Sequence, residues 1–321
     1  MPTVVHVENV GVLAPYDRER ALLGAAGVGF EVVRARDGAD LVRQAADADV
    51  LWLEWMPKVT REVLLGLPRV GLVMRWGVGY DQIDVAAATE LGVAVANSPA
   101  HCTEDVAEHA LALILAVTRQ VVVGHATLAA GEWGATSSFH RRIQGATVGV
   151  VGLGRIGRRV AELCRAFGAE VLGYDPVVAE VPGVRTVILE ELLRRSDIVS
   201  LHVPTTPSTR GLVDAETLAL MKNGAILVNT GRGEVVDESA LLAELGARRL
   251  WAALDVFATE PLPPDHPLRS APHTVLTPHT GASSDASVAQ LREAMCTTTL
   301  EWLESGRAAA VVNPEVVARV H

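Results

Sequence analysis

At 321 residues, with 49% hydrophobic and 21% charged residues, the chain has the length of two ordinary domains and the composition of a soluble globular protein. A formal net charge of −10 without a Lys/Arg-rich run argues against nucleic-acid binding, and no apolar stretch reaches the ~18 residues that a membrane helix needs. The first residues carry no positive segment ahead of a long apolar run, so no signal peptide is expected, and Cys102, Cys164 and Cys296, widely separated and without metal-ligand spacing, read as buried thiols in a reducing cytoplasm.

In chain order, residues 4–7, 30–33, 50–55, 70–74 and 93–95 are short apolar runs that predict strands, and 18–26, 40–46 and 60–67 predict helices between them. This alternation is that of a small open parallel sheet. After residue 74 comes Arg75-Trp76-Gly77-Val78-Gly79-Tyr80-Asp81, whose glycines put a bare backbone turn at the carboxyl end of a strand, where ligands of such sheets collect. Residues 97–100 form a hinge-like break at Pro99. Thr103 is then expected to cap a long helix reaching about residue 122, with Glu104 and Asp105 at its positive end. Val106, Ala107, Ala110, Leu111, Leu113, Ile114, Leu115 and Ala116 make it apolar almost all round, which predicts burial between domains or subunits.

Residues 147–175 read as strand, tight turn, helix and strand. Gly152 permits the turn, Gly154 lets the backbone approach a pyrophosphate, and Gly157 lets helix and strand pack closely. The helix start at Arg155 and Ile156 offers free N–H groups to an anion, and Ile156, Val160, Ala161, Leu163, Cys164 and Phe167 form its apolar face until Gly168 stops it. Asp175, at the end of the following strand, suits the hydroxyls of an adenosine ribose and repels a 2′-phosphate, which points to NAD as the cofactor. Helices are expected at 190–196, 215–221, 238–245 and 284–304, and strands at 198–203, 225–229, 251–256 and 274–276.

Three segments at strand ends carry chemistry: Asn229-Thr230-Gly231-Arg232-Gly233, Asp255 to Pro261, and Thr277-Pro278-His279-Thr280-Gly281. An arginine fork grips a planar carboxylate, and a histidine oriented by a glutamate is the usual acid–base group for interconverting a hydroxyl and a carbonyl. Taken singly, Arg232 could be a surface turn, Glu260 a solvated residue and His279 a strand-end histidine; together, downstream of a dinucleotide motif, they read as catalytic.

With these motifs the sequence resembles the D-isomer-specific 2-hydroxyacid dehydrogenase family, most clearly from Arg75 to Gly281. The resemblance implies a Rossmann-type doubly wound α/β NAD domain, residues 100–285, inserted in a smaller flavodoxin-like α/β substrate domain made of residues 1–99 and 286–321. It implies that Arg232 binds and polarises the substrate, that Glu260 orients His279, and that His279 exchanges the proton with the substrate oxygen. Gly77, Val78 and Gly79 would hold the substrate carboxylate. Beside the glycine turn, Asp175, Thr230, Gly231, Asp255 and Gly281 would contact NAD, with His202, Val203 and Pro204 bordering its adenine side. Arg75 suggests a substrate with a second anionic group, a phosphate, phosphonate or distal carboxylate; a plain ion pair with Asp81 or Asp84 is the equal alternative. The segment from Thr103 to Trp133 resembles the family's dimerisation region, so a homodimer is expected. The competing function is that of an NAD-sensing interaction protein of the C-terminal-binding type, with little turnover.

Overall fold

Each short apolar run of the first hundred residues becomes a parallel strand in the computed structural model, which describes residues 1–9, 15–133 and 141–316. The order is β1 (Thr3–Val7), α1 (Asp17–Ala25), β2 (Gly29–Val33), α2 (Gly38–Gln44), β3 (Val50–Leu53), α3 (Arg61–Leu65), β4 (Leu72–Arg75), α4 (Val85–Leu91) and β5 (Ala94–Ala96). These strands form a five-stranded parallel sheet in the flavodoxin-like order β2-β1-β3-β4-β5, with its switch point between β1 and β3. Every residue of β3, β4 and β5 is buried, as expected for strands covered on both faces. Helix α4 escaped the sequence reading because seven residues are too few to show a period; its signals are local, Asp84 accepting from the Ala87 N–H at 2.9 Å and Gly92 ending the helix at φ 74°.

The second series is α5 (Thr103–Thr118), α6 (Val121–Ala129), β6 (Thr147–Val151), α7 (Arg155–Ala166), β7 (Glu170–Tyr174), β8 (Arg185–Thr186), α8 (Leu189–Arg195), β9 (Ile198–Leu201), α9 (Ala215–Leu220), β10 (Ile226–Asn229), α10 (Glu238–Gly246), β11 (Trp251–Leu254) and β12 (Thr274–Leu276), before α11 (Asp285–Ser305). Its seven parallel strands run in the order β12-β11-β10-β9-β6-β7-β8, a doubly wound sheet that reverses direction between β6 and β9. The chain divides into two compact units, Met1–His101 with Ser284–His321, and Cys102–Ser283. Helix α11 joins the first unit through Trp52, whose buried Nε1–H donates to Thr299 Oγ1 at 2.9 Å. Asn313 follows it, accepting from the Val95 N–H and donating to the Val93 carbonyl. Residues 317–321, expected in the same domain, lie outside the described residues.

The structure departs from the expected elements at both ends of α5 and at the end of α7. The helix expected from 103 to 122 is two helices: α5 stops at Thr118, and Gln120 turns the chain with a left-handed φ of 51° before α6. Cys102 rather than Thr103 occupies the N-cap position, and no side chain caps the helix. The buried face of α5 (Val106, Ala107, Ala110, Leu113, Ile114, Val117) packs on α7 and on β10 to β12 of its own unit, while Leu111, Leu115 and Ala116 are partly buried. Phe167 is 45% exposed, because α7 ends one residue earlier and the chain turns at Gly168. No single helix among the described residues is long and apolar enough to cross a membrane.

Candidate active site

The glycine turn is built by excluding side chains. Gly152 follows β6 with φ 93°, and a Cβ there would stand 2.7 Å from the His202 carbonyl oxygen; at Gly157, on the first turn of α7, it would stand 1.9 Å from the Gly152 carbonyl oxygen. Gly154 is the opposite case, since a Cβ there meets nothing within 4 Å. The N–H groups of Gly154 and Ile156 have no protein acceptor among the described residues and lie at the positive end of the α7 dipole, beside Arg155. Asp175 follows β7 and turns back on this loop: Oδ2 accepts from the Leu153 N–H at 2.8 Å, and Oδ1 from Val177 and Val178. Partial burial pushes its pKa up, but these three N–H donors and Arg158 outweigh that and hold it below the usual carboxylate range. An open cradle of unpaired N–H groups next to a fixed negative charge fits a pyrophosphate and an unphosphorylated ribose.

Across the switch point, His202 lies between Ser200 Oγ, 2.8 Å from Nε2, and Thr230 Oγ1, 3.5 Å from Nδ1. Burial pushes its pKa down to about 4, so the imidazole is neutral. Val203 is buried against Gly152, and Gly231 fits below the Val203 carbonyl, 3.0 Å from where its Cβ would be. Pro204 O accepts from the Thr209 hydroxyl at 2.5 Å.

The loops after β10, β11 and β12 hold the titratable group. Asn229 is 1% exposed and staples the first of them, accepting from the Gly231 N–H at 3.0 Å and donating to the Arg232 carbonyl at 2.9 Å. Arg232 Nη1 donates to the Gly231 carbonyl at 2.8 Å. Gly233 lies flat on the next loop: its Cβ would stand 1.9 Å from the Phe257 carbonyl carbon. Phe257 N–H in turn donates to Glu260 Oε1 at 2.9 Å, while Glu260 Oε2 lies 2.6 Å from His279 Nδ1. A carboxylate can only accept here, so Nδ1 carries the proton and Nε2 is the nitrogen that does not face Glu260. The His279 side chain remains 30% exposed and Glu260 16%.

Asp255 is 2% exposed; Oδ1 accepts from the Thr277 hydroxyl (2.5 Å) and the Thr280 N–H (2.9 Å), and Oδ2 from the Gly281 N–H (2.8 Å). Its carboxylate therefore braces the segment that bears His279, a role the sequence did not reveal.

Arg75 and the Gly77–Gly79 turn belong to the first unit, whose sheet presents them at the end of β4. Arg75 is 6% exposed, its Nη1 bonds to the Trp76 carbonyl and lies 3.5 Å from the Leu53 carbonyl, and its guanidinium sits 5.5 Å from the Trp55 ring centre. Asp84, one proposed ion-pair partner, caps α4. The turn is anchored by Asn97 Nδ2 to the Val78 carbonyl (2.6 Å) and by Ser98 N–H to the Gly77 carbonyl (3.0 Å), while the N–H groups of Val78 and Gly79 have no protein acceptor among the described residues. Beside it lies a polar cluster that sequence reasoning missed. His6 Nε2 is 3.0 Å from Glu54 Oε1, the Tyr16 hydroxyl donates to Glu8 at 3.0 Å, and Asn9 N–H donates to Glu54 Oε2 at 2.7 Å. Burial, then the nearby Glu54, push the Tyr16 hydroxyl well above its ordinary pKa. The available signal was a glutamate directly after each of the two strands that flank the switch point.

A doubly wound parallel sheet with a glycine turn at its switch point, and a carboxylate at the end of the next strand, defines a dinucleotide-binding α/β protein. Residues 111–281 match the model of the D-isomer specific 2-hydroxyacid dehydrogenase NAD binding domain, and the chain belongs to that family. It is 46% identical over 268 residues to a D-3-phosphoglycerate dehydrogenase of Mycobacterium tuberculosis, covering 81% of this chain and 51% of that one. A glyoxylate reductase of Aeropyrum pernix is 42% identical over 269 residues, 79% of either chain. Among solved structures, the D-lactate dehydrogenase of Aquifex aeolicus in complex with NAD and lactic acid superposes with a TM-score of 0.83 at 29% identity, covering 94% of this chain and 95% of that one. The chain spans about half the length of the phosphoglycerate dehydrogenases it matches.

Proposed function

We propose that the protein is a cytoplasmic NAD-dependent oxidoreductase that interconverts a small D-2-hydroxy acid and its 2-keto acid. The observation that carries this reading is the His279–Glu260 pair, 2.6 Å apart and still accessible, in the unit that bears the dinucleotide cradle. Bound NAD supplies the hydride acceptor or donor at nicotinamide C4. Gly152, Gly154, Arg155, Ile156 and Gly157 hold its pyrophosphate, Asp175 its ribose, and His202 to Pro204 border the adenine side. Thr230, Gly231, Asp255 and Gly281 shape the other end of the cradle.

In the reductive direction His279 delivers the Nε2 proton to the carbonyl oxygen while Glu260 keeps Nδ1 paired and the ring oriented. Arg232 stabilises the developing alkoxide and aligns the carboxylate. In the first unit, the N–H groups of Val78 and Gly79, in the turn that Gly77 sets, are suited to bind a carboxylate. Arg75 supports substrates with a second anionic group, as does similarity to enzymes named for 3-phosphoglycerate. A homodimer is supported by α6, where Val121, Val122, Val123 and Leu128 are exposed and Trp133, just beyond, is 93% exposed. Three buried free cysteines suit a reducing compartment.

The test is NADH oxidation against glyoxylate, hydroxypyruvate, phosphohydroxypyruvate, phosphonopyruvate, 2-ketoglutarate and pyruvate. Turnover with one or more is expected, with a preference for a doubly anionic acid that Arg75→Ala removes. Tight NADH binding with silence across the panel overturns the enzyme reading in favour of an NAD-sensing interaction protein.

A further inference from the structure

The geometry points to His109, on α5, as a positioning residue for His279, acting through Thr277 and Asp255; this inference rests on the function proposed above. His109 Nε2 lies 3.0 Å from Thr277 Oγ1 and 3.3 Å from Asp255 Oδ1. The direction of the hydrogen bonds follows from the carboxylate. Asp255 Oδ1 can only accept, so the Thr277 hydroxyl, 2.5 Å away, spends its proton there. The Thr277 oxygen is then left as an acceptor, and the group facing it is His109 Nε2–H. The donors therefore run one way, from His109 to Thr277 to Asp255.

The end of this run is the turn that carries the acid–base group. Asp255 takes the N–H groups of Thr280 and Gly281 with its side chain, and its carbonyl oxygen takes the His279 N–H at 2.8 Å. His279 itself has φ 53°, a left-handed conformation that a residue with a side chain keeps only when its surroundings over-determine it. Its neighbours on both sides are fixed by one carboxylate. That carboxylate is 2% exposed, and among the described residues His109 is the basic side chain paired with it. Burial drives the Asp255 pKa up, and the hydrogen bonds led by His109 bring it below the ordinary value, so the charge that holds the turn persists at neutral pH.

Close packing supports the same assignment. A Cβ on Gly281 would stand 2.9 Å from Asp255 Oδ2 and 3.2 Å from His109 Cδ2, so glycine lets its N–H reach the carboxylate with the imidazole lying against it. His109 touches neither Glu260 nor the His279 ring in any hydrogen bond, and its side chain is 22% exposed, which makes it a support and not a catalytic residue.

The experiment compares His109→Phe, which keeps ring bulk and loses the donor, with His109→Gln, which restores an N–H. His109→Phe is expected to lower kcat by about ten- to a hundredfold, the scale of a sub-ångström to ångström misplacement, with KM for NADH and for the keto acid little changed. His109→Gln is expected to recover most of the loss. A His109→Phe enzyme with parental kcat, or equal losses in both variants, overturns the assignment. The Nδ1–H resonance of His279 is followed on the same proteins: broadening in His109→Phe and recovery in His109→Gln establish the positioning role even where no keto acid turns over, and an unchanged resonance refutes it. Failure of the parent protein on the whole panel, by contrast, strikes only the proposed activity.

Discussion

Both units hold a histidine against a glutamate at the carboxyl ends of parallel strands, and the two pairs differ in what surrounds them. His279 and Glu260 are 2.6 Å apart with side chains 30% and 16% exposed; His6 and Glu54 are 3.0 Å apart with side chains 0% and 7% exposed. The first pair sits on loops beyond β11 and β12, where the imidazole stays solvent-accessible. The second is enclosed by Tyr16, Phe30, Trp52 and Trp76, whose ring centres lie between 4.8 and 6.2 Å from the His6 ring. The same chemical couple thus serves proton transfer where a loop leaves it accessible and packing order where a sheet and aromatic rings bury it.

Removal of the accessible imidazole has the largest expected effect. His279→Ala should reduce kcat by about 10²–10⁴-fold, the range for loss of a general acid–base group, and leave the melting temperature near the parent value. Steady-state kinetics beside calorimetry decide it; a parental kcat would assign the proton to another group. The buried pair should respond the other way. Glu54→Ala strands His6 Nε2 and the Asn9 N–H without their acceptor and should cost about 3 kcal/mol in urea unfolding while NADH affinity is retained. If turnover fell and stability did not, the contrast between the pairs would collapse.

A third histidine sharpens the comparison through pH. His202 has its pKa lowered from 6.5 to about 4 by burial. Between those values the unfolded chain takes up a proton that the folded chain refuses, so stability rises with pH across this window. The penalty is absent above it and amounts to about 3 kcal/mol near pH 4. His202→Gln should flatten the stability curve there, measured by urea unfolding at a series of pH values; a curve parallel to the parent's would place the titration elsewhere. The smallest effect belongs to a carboxylate with no histidine partner. Asp175→Ala should weaken NADH binding by about tenfold, near 1.4 kcal/mol, and narrow the preference over NADPH, as read by nicotinamide fluorescence. Unchanged affinity for both would remove Asp175 from the ribose site.

The physics of short range explains how much could be read in advance. Strand β12 matches its expected span residue for residue, because it is an apolar run with turn residues at both ends. The glycines at 152 and 157 stood out since a turn and a close helix–strand approach admit no other residue. The break at Gln120 went unseen: it uses a left-handed residue that is not glycine, so composition leaves no mark. Helix α4 went unseen for want of length. His109 carries no local mark on its apolar helix, because its partner Thr277 lies 168 residues away.

By itself the sequence determined the alternation of strands and helices, the dinucleotide turn and the acid after it, and the residue types able to grip a carboxylate and move a proton. These follow from local sterics, hydrophobic period and the chemistry of single side chains. Only the tertiary structure decided which of two histidine–glutamate pairs stays accessible, that Asp255 spends its carboxylate on the turn bearing His279, and which face of α5 packs on α7 and the sheet. Burial and hydrogen-bond partnership are set by groups tens to hundreds of positions apart, and they exist only once the sheet has brought its strand ends together.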